Sequence, residues 1–136
     1  MNKFVWPVRV YHEDTDGGGV VYYANYLKFM ERARTELLRF YGIEQTLLKQ
    51  EYNIIFVVRQ LTVEYLKPAF FNDLLNVVAD TTKQGKVSLT MEHQILRDDE
   101  ILCSGDVKIA SINSITYRPQ PLPATVINQM RTKCKS

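Results

Sequence analysis

One long helical pattern, followed by strand patterns almost to the end of the chain, limits this sequence to very few folds. From about Tyr23 to Phe40, apolar residues recur at Tyr26, Met30, Ala33, Leu37 and Phe40, forming one continuous stripe. Leu27, Phe29, Leu38 and Tyr41 widen the stripe, which predicts a helix enclosed over much of its circumference. Lys28, Glu31, Arg32, Arg34, Glu36 and Arg39 fill the remaining positions, with opposite charges three or four apart that can pair. Gly42, just past the stripe, can take the left-handed conformation that closes a helix.

Around this helix the chain reads as strands. Phe4 to Glu13 is β-branched and aromatic, with Pro7 pointing to an edge position or a bulge near its start. After a short polar-flanked piece at Gln45 to Lys49 come Ile54 to Leu66, Asp73 to Lys83, Val87 to Arg97 and Ile101 to Tyr117. Gln84-Gly85-Lys86 and Asp98-Asp99-Glu100 are tight connections, so the strands they join are antiparallel neighbours. Prolines at 119, 121 and 123 extend the exit, and a short helix is expected over Ala124 to Arg131. A single sheet with one apolar face needs a cover, and one helix can supply it. The expected class is α+β: an antiparallel sheet of about five strands wrapped around a central helix, as a single domain over 1–136.

Composition removes several function classes. Lys and Arg number 17 against 15 Asp and Glu, for a net charge of +2, and no run of five like charges marks a nucleic-acid surface. The longest apolar run, Ile54 to Val58, is far short of the ~20 residues of a membrane span. Lys3, Arg9, His12, Glu13 and Asp14 break any signal-peptide core at the start. Cys103 and Cys134 lack metal or redox spacing, so a reduced cytoplasmic setting is expected. His12 and His93 share no ligand spacing, and His93 falls on the buried face of its strand pattern. No metal site and no cofactor are expected.

The chemistry concentrates on Asp14-Thr15-Asp16-Gly17-Gly18-Gly19. As a calcium loop it fails, because Gly18 and Asn25 would occupy positions that require ligands. An Asp-rich turn whose carboxylates cap backbone amides is one reading. The other is catalytic: a carboxylate shortly before a helix start stands beside unpaired amide donors, where a carbonyl oxygen could accept a hydrogen bond while its carbon is attacked.

Val8-Arg9-Val10-Tyr11-His12-Glu13-Asp14-Thr15-Asp16, Gly18-Gly19-Val20-Val21-Tyr22, Ala24-Asn25-Tyr26 and Glu31-Arg32-Ala33-Arg34-Thr35-Glu36 closely resemble hotdog-fold acyl-CoA thioesterases of the YbgC type. That group is related to 4-hydroxybenzoyl-CoA thioesterase and is associated in bacteria with the Tol-Pal cell-envelope system. Phe56-Val57-Val58-Arg59 and Thr62-Val63-Glu64-Tyr65 extend the resemblance over nearly the whole chain. It implies the hotdog fold and a homodimer or homotetramer with acyl-CoA bound between subunits. It also implies Asp16 as nucleophile or general base, and the Tyr23 backbone amide as the group that polarises the thioester carbonyl.

Relatives of this type usually carry His at the position of Tyr23. A main-chain role survives that exchange, whereas a phenol of ordinary pKa near 10 does not replace imidazole as an acid or base near pH 7. Two other readings stay open: a non-catalytic module that binds acyl-CoA or acyl carrier protein, and a dehydratase, which the absence of His from the loop-to-helix segment disfavours. Tyr11, Glu13, Val21, Tyr22, Asn25 and Tyr26 are expected to line the substrate site, with Tyr11 and Glu13 on alternating positions of strand one. Arg59, Lys86 and Arg118 are candidates for the coenzyme A phosphates, Asp14 for fixing the loop. Glu31 is the alternative carboxylate, though Lys28 and Arg34 suggest that it is ion-paired.

Overall fold

The structure, a computed structural model, describes residues 3–134; the side chains of Lys133 and Cys134 and the outermost residues of the 1–136 span lie outside the described part. Five strands, β1 (Phe4–Arg9), β2 (Ile54–Tyr65), β3 (Leu74–Gln84), β4 (Ser88–Arg97) and β5 (Glu100–Asn113), form one antiparallel sheet in the order β1-β3-β4-β5-β2. Helix α1 (Asn25–Phe40) runs between the two edge strands in sequence and covers the sheet, as the single long apolar stripe requires. Two shorter helices, α2 (Gln45–Tyr52) and α3 (Ala124–Cys134), complete the chain. Among the described residues no helix is long and apolar enough to cross a membrane.

The core lies between α1 and one sheet face. Tyr26, Phe29, Met30, Ala33, Leu37 and Leu38 of the helix are buried with Leu75, Val77 and Ala79 of β3, Leu89, Met91 and Ile95 of β4, and Val107 and Ile109 of β5. Each fully buried side chain of the size of Leu, Met or Phe contributes roughly 1.5–3 kcal/mol. Helix and sheet approach tightly at Gly105, where an added Cβ would stand 2.9 Å from Met30 Sδ. Gly42 closes α1 at φ 91°, with Ile43 N–H donating to Leu38 O across the terminus.

Two strand ends fall short of their sequence patterns for the same reason, a side chain that competes for backbone amides. After Arg9 the chain turns through a 3-10 segment at His12–Asp14, because Asp14 Oδ2 accepts from Tyr11 N (2.9 Å). Tyr11 and Glu13 are therefore on a turn, not on alternating positions of a strand. β5 stops at Asn113, whose Oδ1 accepts from Ile115 N and Thr116 N, so the chain turns before Tyr117.

Bulges interrupt the ladders at Arg59 in β2, Thr82 in β3 and Leu102 in β5. The last lets Leu102 and Cys103 both be buried in succession. His93 lies on the covered face of β4, 1% exposed, as the alternation predicts.

Candidate active site

Asp14 builds the base of the site. Its carbonyl accepts from Tyr22 N (3.0 Å) and Asn25 Nδ2 (2.8 Å), which ties both ends of the intervening loop together while its carboxylate holds Tyr11. A bridge between Thr15 and Val21, and a bond from Asp16 N to Val20 O (2.9 Å), narrow the loop further. Of its three glycines only Gly19 needs the left-handed region, at φ 82°, where its N–H returns to Asp16 O (3.2 Å).

Asp16 is exposed near the tip. Its Oδ1 accepts from Gly18 N at 2.7 Å, a charge-assisted bond that fixes the side chain and leaves Oδ2 without a partner among the described residues.

The loop then docks on the segment before β3. Val21 N–H donates to Ala69 O (2.9 Å), Ala69 N–H donates to the Tyr26 hydroxyl (3.0 Å), and Val20 bridges Phe70. Burial, more than any other cause, pushes the Tyr26 phenol up from its ordinary pKa, which keeps it a neutral acceptor here. Val21, Asn25 and Tyr26 thus have buried side chains that hold the loop against the protomer's own core. Tyr11, Glu13, Tyr22 and Tyr23 remain exposed around it.

Between the loop and α1 the backbone makes one tight turn. Asn25 N–H donates to Tyr22 O (2.8 Å), and the Tyr65 hydroxyl donates to Tyr23 O (3.1 Å). The N–H groups of Tyr23 and Ala24 have no protein acceptor among the described residues. Unpaired donors at a helix entrance attract partial negative charge. The rings of Tyr22 and Tyr23 lie 4.7 Å apart and that of Tyr65 stands edge-on to Tyr23 at 6.2 Å, giving the turn an aromatic wall. The Tyr22 phenol is raised, first of all, by the neighbouring Tyr23 phenol. Tyr65 was within the sequence resemblance but outside the expected site, because a hydroxyl-to-backbone contact across 42 residues leaves no spacing signal.

The three expected phosphate-binding cations lie elsewhere. Arg59 precedes Tyr65 by six residues of β2, about 20 Å at ~3.3 Å per residue. Lys86 occupies the β3–β4 turn and Arg118 follows the end of β5 that pairs with Ile54, so both stand at the opposite end of the sheet from Tyr65. All three are exposed.

Glu31 differs from its expectation. Instead of an ion pair with Lys28 or Arg34, its carboxylate accepts from Thr35 Oγ1 at 3.3 Å. Arg34 contacts His93 Nε2 at 3.4 Å. Cys103 is buried and its thiol pushed up to about 12 by that burial, which removes it as a nucleophile. Among the described residues no three His, Cys, Asp or Glu side chains gather as a metal-holding group.

Comparison with known proteins identifies the family. Residues 18–104 match the family model described as the thioesterase superfamily. The acyl-CoA thioester hydrolase YbgC of Escherichia coli O6:H1 is 40% identical over 129 residues, covering 94% of this chain and 96% of that protein. The acyl-CoA thioesterase YbgC of Haemophilus influenzae is 40% identical over 125 residues, 92% of each chain. Among solved structures, a probable thioesterase from Bartonella henselae superposes with a TM-score of 0.85 at 36% identity, over 90% of this chain and 100% of the other.

Proposed function

The chain belongs to the thioesterase superfamily as an acyl-CoA thioesterase of the YbgC type, and we propose that Asp16 and the Tyr23 N–H carry out its hydrolysis of acyl-CoA to free acid and coenzyme A. In this reading the thioester carbonyl oxygen accepts from Tyr23 N–H, which stabilises the charge that develops on it. One such donor is worth about 2.7–4 kcal/mol. Oδ2 of Asp16 either takes a proton from an attacking water or adds to the carbonyl carbon itself. Water addition gives a tetrahedral intermediate that collapses by expelling the coenzyme A thiolate. Direct addition expels the same thiolate and leaves a mixed anhydride for water to cleave. Thiolate departs readily, so neither route requires a general acid at residue 23.

The observation that carries this reading is the pairing of two unsatisfied groups on one rigid loop-to-helix joint: a free carboxylate oxygen at Asp16 and a free main-chain donor at Tyr23. Replacing Asp16 by Asn should lower thiol release by about 10²–10⁴-fold with the fold intact, measured over a panel of short, long and aromatic acyl-CoA substrates. Equal turnover by wild type and variant would remove Asp16 from the mechanism. Running the panel on carrier-protein thioesters as well distinguishes the two thiols, and acyl-CoA binding without turnover would identify a binding module.

The same proposal includes a homo-oligomer. Among the described residues β2 pairs only with β5, leaving the other edge of a twelve-residue strand with unpaired backbone groups. A second copy paired antiparallel along that edge would bring its Ile54 end, with Arg118 nearby, beside Tyr65 and the Asp16 loop. That arrangement would add a partner's cation to an end of the sheet where Lys67 is paired with Glu100 and Arg97 with Asp73 and Glu100, and two such dimers paired through the outer sheet face would complete a tetramer.

A further inference from the structure

We propose that Tyr65 is a positioning residue for hydrolysis, holding the peptide plane at the entrance of α1 so that its free N–H groups face the thioester carbonyl. The inference rests on the reading of Asp16 and Tyr23 given above and adds a residue and a second donor to it.

Two peptide units make up the turn, and each is pinned at its carbonyl. Tyr22 C=O accepts from Asn25 N–H, and its peptide carries the free Tyr23 N–H. Tyr23 C=O accepts from the Tyr65 hydroxyl, and its peptide carries the free Ala24 N–H. In a trans peptide the C=O and N–H point in opposite directions, so fixing one aims the other.

The first pin is local, a turn of the backbone on itself. The second comes from β2, 42 residues away, and among the described residues it is the one hydrogen bond from this part of the turn to the sheet. Without it, rotation of the second peptide would move the Ala24 N–H directly and loosen Tyr23.

Tyr65 suits a positioning role. Its ring packs edge-on against both Tyr23 (6.2 Å) and Tyr26 (5.5 Å), and Tyr26 is itself held by Ala69 N–H. Orientation of the hydroxyl therefore derives from the sheet and core, while its bond acts on the exposed side of the site. Burial pushes the phenol up from its ordinary pKa, in keeping with a hydroxyl that stays protonated and donates.

The test is Tyr65→Phe, which removes the hydroxyl and keeps the ring, assayed beside Asp16→Asn with one acyl-CoA substrate and followed by thermal unfolding of each variant. The expected result is a kcat lowered about tenfold, KM within twofold of wild type and an unchanged melting temperature, because the lost alignment matters most as charge develops in the transition state. Wild-type kcat in Tyr65→Phe, with Asp16→Asn inactive, overturns the role of Tyr65 and leaves the reading of Asp16 standing. A raised KM with unchanged kcat, or a fall in activity matched by a fall in melting temperature, overturns it in favour of substrate contact or plain stability. Full activity of Asp16→Asn overturns the reading of the site and this inference with it.

Discussion

His93 has no part in the proposed chemistry, yet it shapes how the protein responds to acid. Burial first, and the Arg34 guanidinium second, hold its imidazole down to about 3, against which the Val78 backbone acts only weakly. The contact from Arg34 to Nε2 assigns the ring hydrogen to Nδ1, where no acceptor in hydrogen-bonding geometry meets it. The folded state keeps this ring neutral at pH values where the unfolded chain protonates it, with a pKa near 6.5. Stability is therefore unaffected by this group above pH 6.5 and falls as the pH drops from 6.5 toward 3, by roughly 1.4 kcal/mol per unit. Urea unfolding of wild type and His93→Leu at pH 7, 6 and 5 should show the steeper acid loss in wild type, and parallel curves would refute it. Core placement of His93 was legible from alternation alone, but Arg34 was not, since it reaches β4 from a different element across 59 residues. Asp14 was similarly legible as a loop anchor, whereas the buried roles of Asn25 and Tyr26 depend on bonds to Asp14 and Ala69 that only the folded loop creates.

Among the elements, α1 and the two hairpins could be read from the sequence because each follows from one periodicity or one tight turn. Strand ends could not, because apolar patterning continues past Arg9 and Asn113 while Asp14 and Asn113 divert the backbone amides. The packing of α1 on β5 was also invisible, as it depends on Gly105 leaving room for the thioether of fully buried Met30. Gly105→Ala should lower unfolding free energy by about 1–3 kcal/mol through overpacking. Met30→Val should cost a similar amount by leaving space. Because the added methyl fills part of that space, the double variant should be more stable than the sum of the two losses allows. A double-mutant cycle by denaturant unfolding measures this, and strict additivity would show that Met30 repacks freely.

For the whole molecule, the sheet face turned away from α1 carries charge in rows. Asp80, Glu92 and Asp106 stand opposite one another on β3, β4 and β5, on the reverse side from buried Ala79, Met91 and Val107. Like charges directly across strands repel, so the isolated face is electrostatically unfavourable. The next row on the same side is Lys83, Thr90 and Lys108, about 7 Å along the strands. A two-fold axis lying between the rows and parallel to them would set each acidic position of one copy against a lysine-bearing row of the other. One face is thus its own complement, as an isologous contact requires. The proposed pairing along the β2 edge would depend instead on backbone hydrogen bonds and on exposed apolar side chains such as Val58, Leu61 and Tyr65, which salt does not screen. The two contacts should therefore separate by ionic strength. Sedimentation at 0.05 M and 0.5 M salt, with the Debye length falling from roughly 14 to 4 Å, should convert tetramer to dimer without producing monomer. Lys108→Glu should give dimer at low salt, and adding Asp106→Lys should restore tetramer. Tetramer that survives high salt, or that tolerates Lys108→Glu alone, would exclude this face as the contact.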